Sequence, residues 1–284
     1  MLTNYEHKQS SAGTFSLIDS NAVWKVDNTG KNLAFKKEDK SLKFYPCRRL
    51  IINLIGTSGS GKGTQGRTLS QYYSIPHISV GDLFRDELRR KTEFSKLIFL
   101  LTDSYAIDEI CLGIISKRLA AKDCENGFIL DGFPRTFGQA LVLINSFIRP
   151  DDIHVPIYMD LNEDIIRKRL QYRFICPLCG DQVRGHDSCN TGYCLQPSCE
   201  LVPLEHRIED IDECKLQKKF SVFNENKKNI FDVLVNRDKI HHLQLSGHEP
   251  VDDVSNNIFS IINQTFDQLY TINIMHGPVN RPVI

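Results

Sequence analysis

Gly56-Thr57-Ser58-Gly59-Ser60-Gly61-Lys62-Gly63-Thr64-Gln65 directly follows the apolar run Leu50-Ile51-Ile52-Asn53-Leu54-Ile55, and this junction decides the fold. A β-branched run of that length reads as a buried parallel strand, and the residues after Gly61 read as a helix ending near Tyr73. Strand, glycine-rich turn and helix together make a phosphate cradle. The glycines let successive N–H groups point inward at phosphate oxygens, and the helix N-terminus adds its positive dipole end. Gly59, Ser60, Gly61, Lys62, Gly63 and Thr64 are the candidate contacts. Lys62 can reach the β- and γ-phosphates, and Thr64 offers a hydroxyl near a magnesium ion. The usual pattern has Ser or Thr immediately after the Lys; here Gly63 takes that place.

Working outward, 284 residues suffice for one large α/β domain with insertions or for two modest domains. Lys plus Arg equals Asp plus Glu at 35 each, so no overall basic field argues for nucleic acid or membrane binding. No apolar run approaches the roughly 18 residues of a membrane span, and the start lacks a secretory layout; the expected compartment is the cytoplasm. Five of nine cysteines fall between Cys176 and Cys199, a clustering that points to metal rather than to bridges. The scattered Cys47, Cys111, Cys124 and Cys214 read as small buried or partly buried side chains.

Residues 1–47 precede the first core strand; Ala22–Val26 and Leu33–Phe35 read as a hairpin around the turn-rich Asp27–Asn32. This extension would pack on the domain or fasten a dimer. Beyond the loop, strands are expected at Ile75–Ser79, Gly127–Asp131, His154–Met159 and Lys239–Leu245. Helices are expected at Gly81–Arg90, Phe94–Leu101, Asp108–Ala121, Thr136–Phe147, Asn162–Arg173 and about Asp212–Val235. In the last helix Val251, Val254, Ile258, Ile261, Ile262, Phe266 and Leu269 share a face. Alternation of this kind means a five-stranded parallel sheet covered on both sides, a three-layer α/β fold. Residues 271–284, with Gly277, Pro278 and Pro282, read as a loose tail.

Asp131 ends a core strand, where a carboxylate holds magnesium directly or through water; the alternative is a turn Asp capping the next segment. In Gly132-Phe133-Pro134-Arg135-Thr136 the Pro fixes a turn that aims Arg135 back over the strand ends, and an Arg suits bidentate phosphate contact. Gln139, one helical turn on, carries an amide able to pair with a base edge; taken alone, it also reads as a solvated helix residue.

The loop at Gly56–Gln65, the Ser-x-Gly-Asp-Leu-x-Arg run at Ser79–Arg85 and Asp131-Gly-Phe-Pro-Arg-Thr136 with Gln139 resemble the adenylate kinase family of nucleoside monophosphate kinases. The resemblance extends from about Arg49 to Tyr270 and includes Gly247-His248-Glu249-Pro250-Val251. It implies a phosphate-loop NTPase-type core (48–270), a helical monophosphate-binding insertion (79–108) and a mobile lid (174–210). It assigns Val80, Arg85, Ala106, Gly132, Arg135, Gln139 and Arg207 to AMP. Arg169, Arg173 and Arg207 would close on the triphosphate of ATP, with Glu209 and Asp210 as hinge or Arg-positioning carboxylates. Arg169 and Arg173 lie one turn apart before the lid, and His206-Arg207-Ile208-Glu209-Asp210 resembles the family's far hinge.

Within the lid, Cys176-Pro-Leu-Cys179 and Cys194-Leu-Gln-Pro-Ser-Cys199 have the spacing of a tetrahedral structural zinc site. Cys189, His186 and His206 are substitute ligands. Two disulfides would contribute about 2–4 kcal/mol each and a structural zinc on the order of 10–16 kcal/mol apparent, so the metal is the stronger staple for a small insertion. A nucleic-acid-binding zinc ribbon is the further alternative, disfavoured by mixed charge and no aromatic ladder.

Three departures from the family pattern stand out. Ser58 replaces Pro, Val80 replaces Thr at a position facing the acceptor base, and Lys218 or Lys219 replaces a catalytic Arg. Lys keeps the charge but loses the planar fork. The sequence thus points to reversible, Mg2+-dependent phosphoryl transfer from ATP to AMP by a monomer with a structural Zn2+. The alternatives are another nucleoside monophosphate kinase, such as a GTP:AMP phosphotransferase, or a nucleotide-binding regulatory protein with attenuated catalysis. Neither nucleic acid nor membrane is an expected partner, and the N-terminal extension is the segment available for self-association.

Overall fold

The computed structural model describes residues 24–26, 32–34, 48–93, 104–180, 182–184 and 192–276. The expected helix at Phe94–Leu101 lies outside them. Near the start, β1 (Trp24–Val26) and β2 (Asn32–Ala34) pair antiparallel, Trp24 opposite Ala34, as the hairpin reading requires.

The central sheet is built from β3 (Leu50–Ile55), β4 (His77–Ser79), β5 (Gly127–Asp131), β6 (Ile153–Leu161) and β10 (His241–Leu245). Its order is β10-β6-β3-β5-β4, with all neighbours parallel. Every side chain of β3 is buried because both sheet faces are covered. On one face Leu50, Ile52 and Leu54 pack with Leu69 and Tyr73 of α1 (Lys62–Tyr73) and with Val254, Ile258, Ile262 and Phe266 of the last helix. On the other, Ile51 and Ile55 pack with Phe128 and Leu130, Ile115 of α3 (Ser104–Leu119), and Phe223, Ile230 and Leu234 of α7 (Glu213–Val235). The alternation of period two along one strand thus feeds two cores.

Around this sheet lie α2 (Val80–Arg90), α4 (Phe137–Val142, continued by a wider π turn over Leu143–Phe147) and α5 (Glu163–Gln171). Between α5 and α7 a small antiparallel sheet of order β8-β7-β9 is formed by β7 (Arg173–Ile175), β8 (Gln182–Arg184) and β9 (Glu205–His206), followed by the single turn α6 (Ile208–Ile211). The last helix, α8, spans Val251–His276, so residues 271–276 are helical rather than part of a loose tail. The apolar pattern continues through Ile272, Ile274 and Met275, and no breaker occurs before Gly277-Pro278. Among the described residues, no helix is long and apolar enough to cross a membrane.

β3 lies between β5 and β6, so the loop that leaves its C-terminal end enters the crevice where parallel α/β sheets bind ligands.

Candidate active site

The loop at Gly56–Gly61 is wedged between the sheet and α5. A Cβ at Gly59 would come within 2.9 Å of Ile166 and 3.0 Å of Leu170, so the closeness of α5 selects glycine there. Ser60 is fully buried, and Lys62, only 6% exposed, donates to the Thr57 carbonyl at 2.6 Å and to Ser60 Oγ at 3.4 Å. Burial lowers the Lys62 pKa to about 8; the nearby charges of Arg135 and Arg173 push the same way, against the opposing pull of Asp131. Gly63 lies over Asp131, whose Oδ2 would be 3.5 Å from a Cβ there, and Thr64 follows in the first turn of α1. Gln65 ties this helix to α8: its Nε2 donates to the Val251 carbonyl at 3.1 Å, and Ser255 Oγ donates to its Oε1 at 2.8 Å.

Asp131 ends β5 with its Oδ2 3.3 Å from His77 Nε2. Burial favours the neutral acid, but the His77 contact and the Lys62 charge outweigh it and hold the carboxyl below its ordinary range. Gly132, at φ 76°, accepts at its carbonyl from Arg135 Nε at 2.9 Å, which aims this exposed guanidinium over the strand ends. Gln139 is buried and engaged at both ends. Its Oε1 accepts from the Arg135 backbone at 2.7 Å, and its Nε2 donates to Asp108 at 2.7 Å. Asp108 also accepts from Thr136 Oγ1 at 2.6 Å.

Across the crevice, α2 begins with Val80, buried in the second core with Ile78 and Cys111. Asp82 pairs with Arg85 and also receives Arg207 at 3.4 Å. Burial raises the Asp82 carboxyl, and the Arg85 charge leads the interactions that overcome this and lower it. Arg207, 8% exposed, has its pKa lowered to about 10 by burial and by the like charges of Arg85 and Arg173. Arg173, at the start of β7, grips Asp210 through Nε at 2.8 Å and reaches Ser58 Oγ at 3.5 Å. Arg169 donates to the Gly247 carbonyl at 2.8 Å, and its Nη1 would lie 4.0 Å from a Cβ at Gly61. The loop, Asp131, Arg135, Arg85, Arg173 and Arg207 are therefore linked by mutual charge and hydrogen bonding.

No contact described above joins either lysine candidate to that set. Lys218 lies on the exposed face of α7 beside Glu213, Cys214, Gln217, Ser221, Val222 and Glu225. Lys219 is half-buried on a flank of the apolar stripe Leu216–Phe220–Phe223, away from the Glu213–Gln217–Asn224 flank that bonds α5. Ala106 falls in the first turn of α3, where the backbone alone is described. His77, Asp82 and Asp108 were not singled out from the sequence. Asp82 sits inside the quoted Ser79–Arg85 run, whereas Asp108 joins the site through a contact across 31 residues that no local motif signals.

In the small antiparallel sheet region, the Sγ atoms of Cys176, Cys179, Cys194 and Cys199 lie within 4.8 Å of one another. Cys176–Cys199 and Cys179–Cys194 are 3.8 and 3.7 Å apart, and all four thiols are free. Four sulfurs bound tetrahedrally at about 2.3 Å from one zinc would be about 3.8 Å apart, whereas a disulfide requires about 2.05 Å. The set fits a metal and not two bridges. His206 instead packs its ring on Phe174 at 4.1 Å; Cys189 and His186 lie outside the described residues.

A family model described as adenylate kinase matches residues 54–239. Among curated proteins, an adenylate kinase of Finegoldia magna is 33% identical over 215 residues, covering 74% of this chain and 96% of its own. One from Listeria monocytogenes is 35% identical over 207 residues (71% and 93%), and one from Clostridium botulinum 31% over 219 residues (75% and 98%).

Proposed function

We propose, for a chain that belongs to the adenylate kinase family of nucleoside monophosphate kinases, reversible Mg2+-dependent phosphoryl transfer from ATP to AMP, giving two ADP. The observation that carries this reading is the convergence of Lys62, Arg85, Arg135, Arg173 and Arg207 on one crevice, where burial first, and then the like charges of their neighbours, lower the pKa values of Lys62 and Arg207. Cations held at such mutual cost suit a site whose missing partner is polyanionic.

The attacking atom, an AMP phosphate oxygen, is already nucleophilic, so the protein supplies alignment and charge compensation rather than a covalent intermediate. Gly59–Thr64 would cradle the ATP phosphates through backbone N–H groups, with Lys62 on the β- and γ-phosphates. Asp131 and Thr64 would hold magnesium through its water shell; the ion, when bound, offsets the charge developing on the phosphate oxygens. Arg85 and Arg135 would present the AMP phosphate, and Gln139, fixed by Asp108, retains one N–H for a base edge. Arg169, Arg173 and Arg207 would close on the transferring group as the lid (174–210) meets the acceptor insertion (79–108) and excludes water. Arg89 already reaches the Leu178 carbonyl at 3.4 Å across that boundary. The two lysine candidates for the family's Arg differ in exposure, Lys218 being exposed and Lys219 half-buried. Cys176, Cys179, Cys194 and Cys199 would hold a structural zinc.

The test is a coupled assay scanning AMP, GMP, CMP and UMP against ATP and GTP. Turnover confined to a monophosphate other than AMP would overturn the acceptor assignment, for which Val80 makes the panel necessary. Lys62→Met and Arg135→Ala should each lower kcat/KM by at least about 10³-fold; full activity in both would refute the site.

A further inference from the structure

Beside the phosphate loop lies a second turn, Ser246–Pro250, between β10 and α8, and it is built around one carboxylate. Glu249 accepts from the Ser246 backbone at 2.6 Å and from the Gly247 backbone at 2.8 Å. These N–H bonds, that from Ser246 foremost, hold its pKa down to about 2, so the acceptor stays ionised over the whole working range. The turn bears directly on α5. Gly247 has φ +88°, and a Cβ there would come within 2.6 Å of Ile165, so only glycine allows the backbone this close. One helical turn beyond Ile165, on the same face, Arg169 rises to donate to the Gly247 carbonyl at 2.8 Å. Its other amino group reaches toward Gly61 of the phosphate loop.

We propose that Glu249 is a positioning residue for the donor nucleotide. By clamping the N–H groups of Ser246 and Gly247 it fixes the Gly247 carbonyl, and that carbonyl sets the guanidinium of Arg169 beside the phosphate loop. The inference rests on the assignment of ATP to that loop. The Glu249 carboxylate acts through the turn and Arg169. An anionic side chain this near a phosphate site would ordinarily repel the ligand. Here its charge is spent on two backbone donors, and what faces the crevice is the arginine it helps to hold.

Wild type, Glu249→Ala, Glu249→Gln, Arg169→Ala and the double variant Glu249→Ala/Arg169→Ala are compared by steady-state kinetics with each substrate varied in turn. Calorimetric titration with a non-hydrolysable ATP analogue and thermal melting complete the set. Glu249→Ala should raise KM for ATP and the analogue Kd by about tenfold, leaving KM for AMP within about twofold. Glu249→Gln, which keeps one acceptor oxygen, should fall between. In the Arg169→Ala background the Glu249→Ala change should add less than about twofold, since the two act in series. Equal losses in both backgrounds, or a lowered Tm with ATP affinity unchanged, would overturn the proposal. Wild-type protein that binds the analogue but does not turn over ATP with AMP would refute the proposed function, and the Kd series would still decide the role of Glu249.

Discussion

Asn53 sits in the middle of β3, the central strand, with no exposed surface, and neither Oδ1 nor Nδ2 has a hydrogen-bond partner among the described residues. Its backbone bonds are those of the parallel ladder, with Leu130 and Pro156 as register partners, and do not involve the amide side chain. A buried, unpartnered polar group costs about 1–3 kcal/mol, and Asn53 carries two. Leu has nearly the shape of Asn and would join Ile51 and Ile55 on the same sheet face. Against the gain stands a repacking cost of up to about 1.5 kcal/mol, leaving a net stabilisation of about 2 kcal/mol for Asn53→Leu. At roughly 2–4 °C per kcal/mol for a chain of this size, Tm should rise by about 4–8 °C. Thermal melting of the two proteins at pH 7.5 measures it, with Asn53→Asp, which buries a charge, as the destabilised control. A Tm unchanged or lowered in Asn53→Leu would refute the reasoning, because it would mean that the amide is satisfied in solution.

Gly66→Ala gains about 1 kcal/mol of helix propensity, but its Cβ would overlap the His77 ring, a cost of about 1–3 kcal/mol in a packed site. The expected result is a lower Tm together with a raised magnesium requirement as His77 leaves Asp131. Protein purified without chelator should carry one zinc per chain, and protein stripped of it by a chelator, then freed of chelator and assayed in excess Mg2+, should lose activity while keeping most far-UV signal; substoichiometric metal with unchanged melting would count against the four-cysteine site. Burial holds His154 below its ordinary pKa of 6.5 despite Asp238 at 2.8 Å, so the native state resists a proton that the unfolded chain accepts. Its contribution is complete above pH 6.5 and is lost as pH falls toward the lowered native value, so Tm should drop between pH 7 and 5 less steeply in His154→Gln. Because Lys62 titrates near pH 8 in the free protein, MgATP binding at that pH should draw up about half a proton, read as a buffer-dependent heat; identical heats in buffers of different ionisation enthalpy would refute it.

The sheet was legible because β-branched runs ending in glycine or carboxylate leave few alternatives: α1 begins and ends where Gly61 and Tyr73 placed it. Local motifs also announced residues that converge on the crevice: Asp131 ends β5, Arg135 follows it by four residues, and Lys62 opens the helix after the glycine-rich loop. What the sequence concealed was long-range pairing. His77 beside Asp131, Asp108 beneath Gln139 and Glu249 behind Arg169 depend on which elements become neighbours, and no periodicity encodes that. The end of α8 escaped for a different reason: Thr271 marks no stop, and the true breakers come only at Gly277-Pro278. Lys218 and Lys219 differ by one position, yet a 100° step around a helix turns one toward solvent and the other toward the packed flank.

The acids of the crevice explain how so many cations are kept in place before a nucleotide arrives. Asp82 binds Arg85 and Arg207, and Asp210 binds Arg173. Each arginine therefore has a defined direction but an incomplete counter-charge: Arg207 remains buried with its pKa lowered, and its Nε has no partner among the described residues. On the proposed reading, phosphate oxygens complete what the carboxylates begin. Preorganisation of this kind costs stability in the free protein and returns it as affinity concentrated on the transferring group, since the donors need not reorient when charge shifts between the nucleotides. The same reading makes Asp82, an acid in a phosphate site, compatible with the reaction: one of its oxygens contacts both Arg85 of α2 and Arg207 beside β9, so its charge is already engaged and would hold two arginines ready for phosphate.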